Sequence, residues 1–349
     1  MMRAELALAV TLAAACAMAC AGTGAQAREA GGEAAADPFA PPRLQALAEA
    51  AVAKFAADRG GERPSYIPAL ADADPERFAV ALATPDGGIV SAGDADVPFA
   101  IMSVAKVFTL ARVLEERGTQ AVIEHIGVEP TGLPFDSIRA VEMHPERSVN
   151  PLVNAGALAT VSLLAGDAPE QRWRALLAWY GRFAGRPLAL LEPVYASVSE
   201  RGERNRAVVN LLRSYERLYA DPGETRDVYN RQSSVGVTTR DLARMGAVLA
   251  NGGTEPRSRE RLVSEAHVED LLAIMMMAGM YDGAGRWAVE VGLPAKSGVG
   301  GGVLAIAPGR LALAAFSPRL DENGNSVRAV YAIRWLAEEL DLDLFGLPR

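Results

Sequence analysis

Ser103 and Lys106 stand three positions apart and could make a nucleophile and its base. A serine hydroxyl attacks poorly until a neighbouring base takes its proton. A lysine can serve once burial or nearby positive charge lowers its pKa towards neutrality. This spacing puts both side chains on one helix face, so the amine can approach the hydroxyl. The apolar positions Val104, Val107, Leu110, Val113 and Leu114 predict such a helix from Ser103 to about Glu116, stopped by Gly118. Ser103 then lies at its N-terminus, where backbone N–H groups can stabilise an oxyanion. Taken alone, S-x-x-K is weak, because it arises by chance and is more simply an N-cap serine with a surface lysine. A second string, Lys296-Ser297-Gly298-Val299-Gly300-Gly301-Gly302, precedes a strand beginning at Val303. By itself a Gly-rich run reads as a flexible turn.

Few other chemistries have the parts they need. Both cysteines, Cys16 and Cys20, fall in an apolar leader, so a chain starting near Arg28 has no thiol nucleophile, disulfide framework or cysteine-ligated zinc site. The histidines, His125, His144 and His267, are scattered without metal-ligand spacing, which argues against a His-based metal centre or a Ser-His-Asp triad. No metal and no cofactor are expected. A net charge of −8 lacks the basic footprint that a phosphate backbone requires, so no nucleic-acid partner is expected. Half the residues are hydrophobic, as in a packed globular protein.

The elements that must hold Ser103 and Lys296 can be read from apolar periodicity. Leu44, Leu47, Ala51 and Phe55 share one face of a predicted helix. The runs at 78–83 and 89–93, separated by Pro85-Asp86-Gly87-Gly88, predict a hairpin, and so do 303–307 and 311–316 around Pro308-Gly309-Arg310. From about Pro151 to Gly252 the spacing is mostly helical, with Leu163, Trp173, Leu176, Leu177 and Tyr180 as one series. Val327 to Leu340 closes the chain as a helix. The expectation is an α+β fold, with an antiparallel sheet built from N- and C-terminal segments around a mostly helical middle.

The N-terminus predicts export. Arg3, an apolar run from Leu6 to about Ala21 and the A-x-A pattern Ala25-Gln26-Ala27 make a secretory signal peptide over 1–27. A flexible spacer at 28–40 and a catalytic domain at 41–349 follow. The expected location is periplasmic, with no membrane span in the mature form. Lipidation at Cys20 is the alternative.

A K-[ST]-G strand facing an S-x-x-K helix is the arrangement of the penicillin-binding and serine β-lactamase fold. Longer strings narrow the family. Asn150-Pro151-Leu152-Val153-Asn154-Ala155-Gly156-Ala157 and Pro294-Ala295-Lys296-Ser297-Gly298-Val299-Gly300-Gly301-Gly302 resemble the glutaminase family. So do Tyr66-Ile67-Pro68, Ser199-Glu200, Arg204-Asn205 and Gly279-Met280-Tyr281-Asp282. The resemblance runs from about Tyr66 to Ser326. It implies a β-lactamase/transpeptidase-like fold and hydrolysis of L-glutamine to L-glutamate and ammonia through a serine acyl-enzyme. It further implies Ser103 as nucleophile, Lys106 as its activating partner, and Tyr66 and Tyr281 as proton relays. The backbone N–H groups of Ser103 and Val299 would form the oxyanion hole. Asn154, Glu200, Asn205 and Tyr229 would grip the substrate, with Glu200 on its ammonium. A homo-oligomer, dimer or tetramer, is also implied.

Three departures stand out. Met102 replaces the glutamine usual before the nucleophile, and a thioether cannot make an amide's hydrogen bonds. The interval from Glu200 to Asn205 is shorter than in the family. Ser233 stands where cysteine is common. Two other readings remain at this stage: a penicillin-recognising acyl transferase or β-lactamase, and an inactive amino-acid-binding protein.

Overall fold

The computed structural model describes residues 37–145 and 147–346, and the expected leader and most of the spacer lie outside that range. The described residues from Pro38 onward form one compact unit. Its main sheet has the order β2-β1-β8-β7-β6, all pairs antiparallel. Here β1 is Ala79–Ala83, β2 Ile89–Gly93, β6 Ala295–Ser297, β7 Gly302–Ala307 and β8 Leu311–Phe316. The two expected hairpins therefore meet at β1 against β8, where Ala81 opposes Ala314. N-terminal and C-terminal segments build one sheet, as the sequence implied.

Alternation along these strands explains why the sheet has a layer on each side. Val80, Leu82, Val303, Ala305, Leu313 and Ala315 point to one face, into a core shared with the Pro41–Phe55 and Val327–Glu339 helices. Ala81, Ala83, Leu304, Ile306, Ala312 and Ala314 point to the other, into the larger core of the helical middle. The Thr239–Ala250 helix covers that face so closely that a Cβ on Gly246 would lie 2.6 Å from Leu304.

A second, small sheet was not legible beforehand. It has the order β3-β5-β4, with β3 Phe99–Ala100, β4 Ala189–Leu190 and β5 Val235–Val237. Strands this short carry no usable alternation. The Phe99 ring stacks on Phe316 of β8 at 4.2 Å, and this contact ties the small sheet to the large one. Among the described residues, no helix is long and apolar enough to cross a membrane.

Candidate active site

The segment that carries Ser103 is built as strand, turn and helix. β3 pairs with β5, and the Ile101 N–H continues the pairing to the Val235 carbonyl at 2.9 Å. Met102 then adopts a positive φ of 46°, a left-handed conformation costly for a residue with a Cβ. One 3-10 turn, Met102–Val104, leads into the Ala105–Arg117 helix, which Gly118 ends at φ 81°. Buried residues line almost the whole circumference of that helix, so it is a core element and cannot drift.

Lys106 is buried with them, 1 % exposed. Its Nζ lies 3.0 Å from Ser103 Oγ and donates to Asn154 Oδ1 at 2.8 Å. Loss of water lowers its pKa to about 7, a shift that the negative charge of Asp136 partly opposes. The S-x-x-K pair is thus neither cap nor surface lysine. Asn154 Oδ1 also accepts from Tyr229 OH at 3.0 Å, and Asn154 Nδ2 donates to Asn205 Oδ1 at 3.2 Å. Ser103, Lys106, Asn154, Tyr229 and Asn205 form one connected polar array.

The Gly-rich run is not a flexible turn. Its glycines let two backbones meet: a Cβ on Gly298 would lie 3.3 Å from the Ser103 nitrogen and 3.0 Å from the Ile101 carbonyl oxygen. On Gly300 it would lie 2.2 Å from the Ala100 carbonyl oxygen. The Val299 backbone is therefore carried alongside the nucleophile, and nothing among the described residues accepts its N–H. Lys296 is buried behind, donating to the carbonyls of Gly279 at 3.0 Å and Ser297 at 2.6 Å. Burial, together with the charge of Lys106, pushes its pKa well down.

These groups close a cavity of about 300 Å³ lined by Tyr66, Met102, Ser103, Asn154, Asn205, Tyr229 and Val299. That is room for a small ligand. Tyr66 stands at its edge, 55 % exposed, its phenol pushed up to about 12 by desolvation and the nearby charge of Asp136. Tyr281 is buried and donates to the Ser297 carbonyl at 3.0 Å, from a backbone at φ 59°. Burial raises its pKa, a hydrogen bond with Ser103 opposing, so it stays protonated at neutral pH. The Tyr229 phenol is raised too, first by burial.

Glu200 is the expected site residue that does not come in. It is exposed at the end of the Glu192–Glu200 helix and does not line the cavity, whereas Val198 does. Positions two apart on a helix face nearly opposite ways, so an inward Val198 turns Glu200 outward. The carboxylate on the wall is Asp136, which the sequence did not mark because it sits in a loop with no motif. Arg201 and Arg204 also line the cavity.

With this geometry in view, relatives become informative. The Glutaminase family model matches residues 61–345. The chain belongs to the glutaminase family. Glutaminases are amidohydrolases, and this glutaminase-family chain is 50 % identical over 304 residues to a glutaminase of Colwellia psychrerythraea, covering 87 % of this chain and 98 % of the relative. It is 48 % identical over 289 residues to one of Mycobacterium ulcerans, covering 83 % and 90 %. A solved probable glutaminase superposes with a TM-score of 0.86 at 46 % identity, over 87 % of this chain and 98 % of the other. A probable glutaminase from Bacillus subtilis, complexed with 6-diazo-5-oxo-L-norleucine, gives 0.78 at 30 %, over 86 % and 96 %. The fold of this glutaminase-family chain is the β-lactamase-like α+β fold.

Proposed function

We propose that the chain hydrolyses L-glutamine to L-glutamate and ammonia through an acyl-enzyme on Ser103. The observation that carries this is the contact of 3.0 Å between Ser103 Oγ and a buried Lys106 whose pKa is about 7, on the wall of an amino-acid-sized cavity. In its neutral form Lys106 has a lone pair for the Ser103 proton. Ser103 Oγ bonds to the amide carbon as that proton passes to Lys106 Nζ. The developing oxyanion is held by the N–H groups of Ser103 and Val299. The carbon–nitrogen bond then breaks as the proton held on Lys106 Nζ passes through the phenols of Tyr281 and Tyr66 to the leaving nitrogen, which departs as ammonia and returns Lys106 to its neutral form. Neutral Lys106 takes a proton from water as the water oxygen bonds to the ester carbon, and returns it to Ser103 Oγ as the bond from Oγ to that carbon breaks and glutamate leaves.

Asn154, Asn205 and Tyr229 hold the substrate beside Ser103. The position of Glu200 gives its expected pairing with the ammonium no support. The bound molecule in the Bacillus subtilis structure is itself an α-amino acid, with an electrophilic diazoketone where glutamine has its amide. That chemistry suits a nucleophile in an amino-acid pocket.

The test is a coupled ammonia assay over a panel of primary amides. Glutamine is expected to give the highest kcat/KM. Preference for an amide without amino-acid character contradicts the reading.

We also propose export to the periplasm with cleavage near Ala27, and a homo-oligomer of two or four copies. Export rests on the leader pattern, oligomerisation on the family resemblance. Intact mass of the native product and light scattering test them; a mass including residues 1–27, or a monomer at working concentration, counts against each in turn.

A further inference from the structure

We infer that Asp136 is the carboxylate that reads the α-ammonium of the substrate, with Arg204 as its positioning residue. This rests on the glutaminase reading above and assigns the recognition expected of Glu200 to another part of the chain.

A free amino acid brings a cation into the cavity, and a desolvated cation needs an anion within reach. Asp136 is the one carboxylate on the lining among the described residues. The loop beneath it is fixed from several directions. The Phe135 carbonyl accepts the Asn154 N–H at 2.8 Å, and the Phe135 ring lies 4.8 Å from that of Tyr281. Ser137 caps the Ile138–Met143 helix, accepting from the Ala140 N–H at 3.2 Å. Arg204 Nε donates to the Asp136 carbonyl at 2.8 Å and lies 3.0 Å from Oδ2.

A carboxylate has two oxygens, so a partner on Oδ2 leaves Oδ1 for an incoming ammonium. The loop is thus bonded at one residue to Asn154, which touches Lys106, and presents its charge at the next. The charge of Asp136 bears on Tyr66, Lys106 and Tyr229, which places it within electrostatic reach of the reacting centre. Arg204 is more than half exposed, so as a mere surface ion pair the contact would do little. A role in recognition explains why it is assembled at this wall.

The test compares ligands with and without the ammonium. KM for glutamine and inhibition constants for L-glutamate and glutarate are measured on the full chain and on Asp136→Asn, a near-isosteric change. The variant is expected to raise KM for glutamine and Ki for glutamate together, by about tenfold to a hundredfold, with kcat within about threefold. Ki for glutarate, which has no ammonium, is expected to stay level or fall. Glutamate and glutarate weakening equally, or KM staying put, overturns the inference. So does a comparable rise in KM from Glu200→Gln with none from Asp136→Asn. A wild-type chain releasing no ammonia from glutamine removes the glutaminase reading and this inference with it. Turnover of glutamine with an unmoved KM in the variant removes this inference alone.

Discussion

Lys106 and Asn154 are joined by a hydrogen bond of 2.8 Å, and the accepting oxygen, Asn154 Oδ1, also takes the Tyr229 hydroxyl at 3.0 Å. An uncharged acceptor steadies the lysine without adding the negative charge that would keep it protonated. The groups facing Lys106 are Ser103, Asn154 and Tyr229, with the charges of Asp136 and Lys296 further off. Only Asp136 raises its pKa, and burial outweighs it.

That arrangement fixes the sign of the pH dependence. Above about 7 Lys106 is neutral and can take the Ser103 proton, and below it the base is blocked. The free-enzyme profile, kcat/KM against pH, is therefore expected to fall about tenfold per unit on the acid side of neutrality. Asn154→Asp sets a carboxylate against Nζ, favours the ammonium, and should move that limb upward by about one to three units. A limb that stays still in the variant removes Lys106 from the role of base.

Gly298 and Gly300 separate chemistry from folding. At Gly298 the added Cβ meets Ile101 and Ser103 backbone at 3.0 and 3.3 Å, close enough to shift the proposed oxyanion donors by a few tenths of an ångström. Gly298→Ala should lower kcat about tenfold to a hundredfold while KM stays within about threefold. At Gly300 the clash of 2.2 Å is with a fixed carbonyl, so Gly300→Ala should destabilise by about 2 kcal/mol or more. Paired kinetics and thermal melts check both, and a reversal of the two effects counts against the close-approach explanation.

How far these features could be read beforehand follows from how local their signals were. The hairpins of the large sheet and the Ser103–Lys106 helix have periodic patterns, and each lies within a few residues of its expected bounds. The Gly-rich string was ambiguous because its partner backbone, 99–103, is remote in sequence. The small sheet has strands of two or three residues, too short for any period to register. Glu200 was carried over by resemblance, but its orientation depends on which turn of the helix faces inward. Asp136 is marked only by where its loop is pinned, and that is a tertiary fact.

Met102 lines the cavity and is 7 % exposed, with a thioether where the family usually presents an amide. Met102→Gln restores a donor and an acceptor to the wall. It is expected to lower KM for glutamine about threefold to tenfold, leaving kcat little changed. Steady-state kinetics decide it, and a higher KM means that the thioether packs against the substrate.

The covalent step through Ser103 is tested most directly by rapid mixing with glutamine, acid quenching and peptide mapping by mass spectrometry. The expected result is a γ-glutamyl adduct on the peptide containing Ser103, absent from Ser103→Ala, which folds but releases no ammonia. An adduct on another residue, or ammonia release by Ser103→Ala at near the wild-type rate, contradicts it.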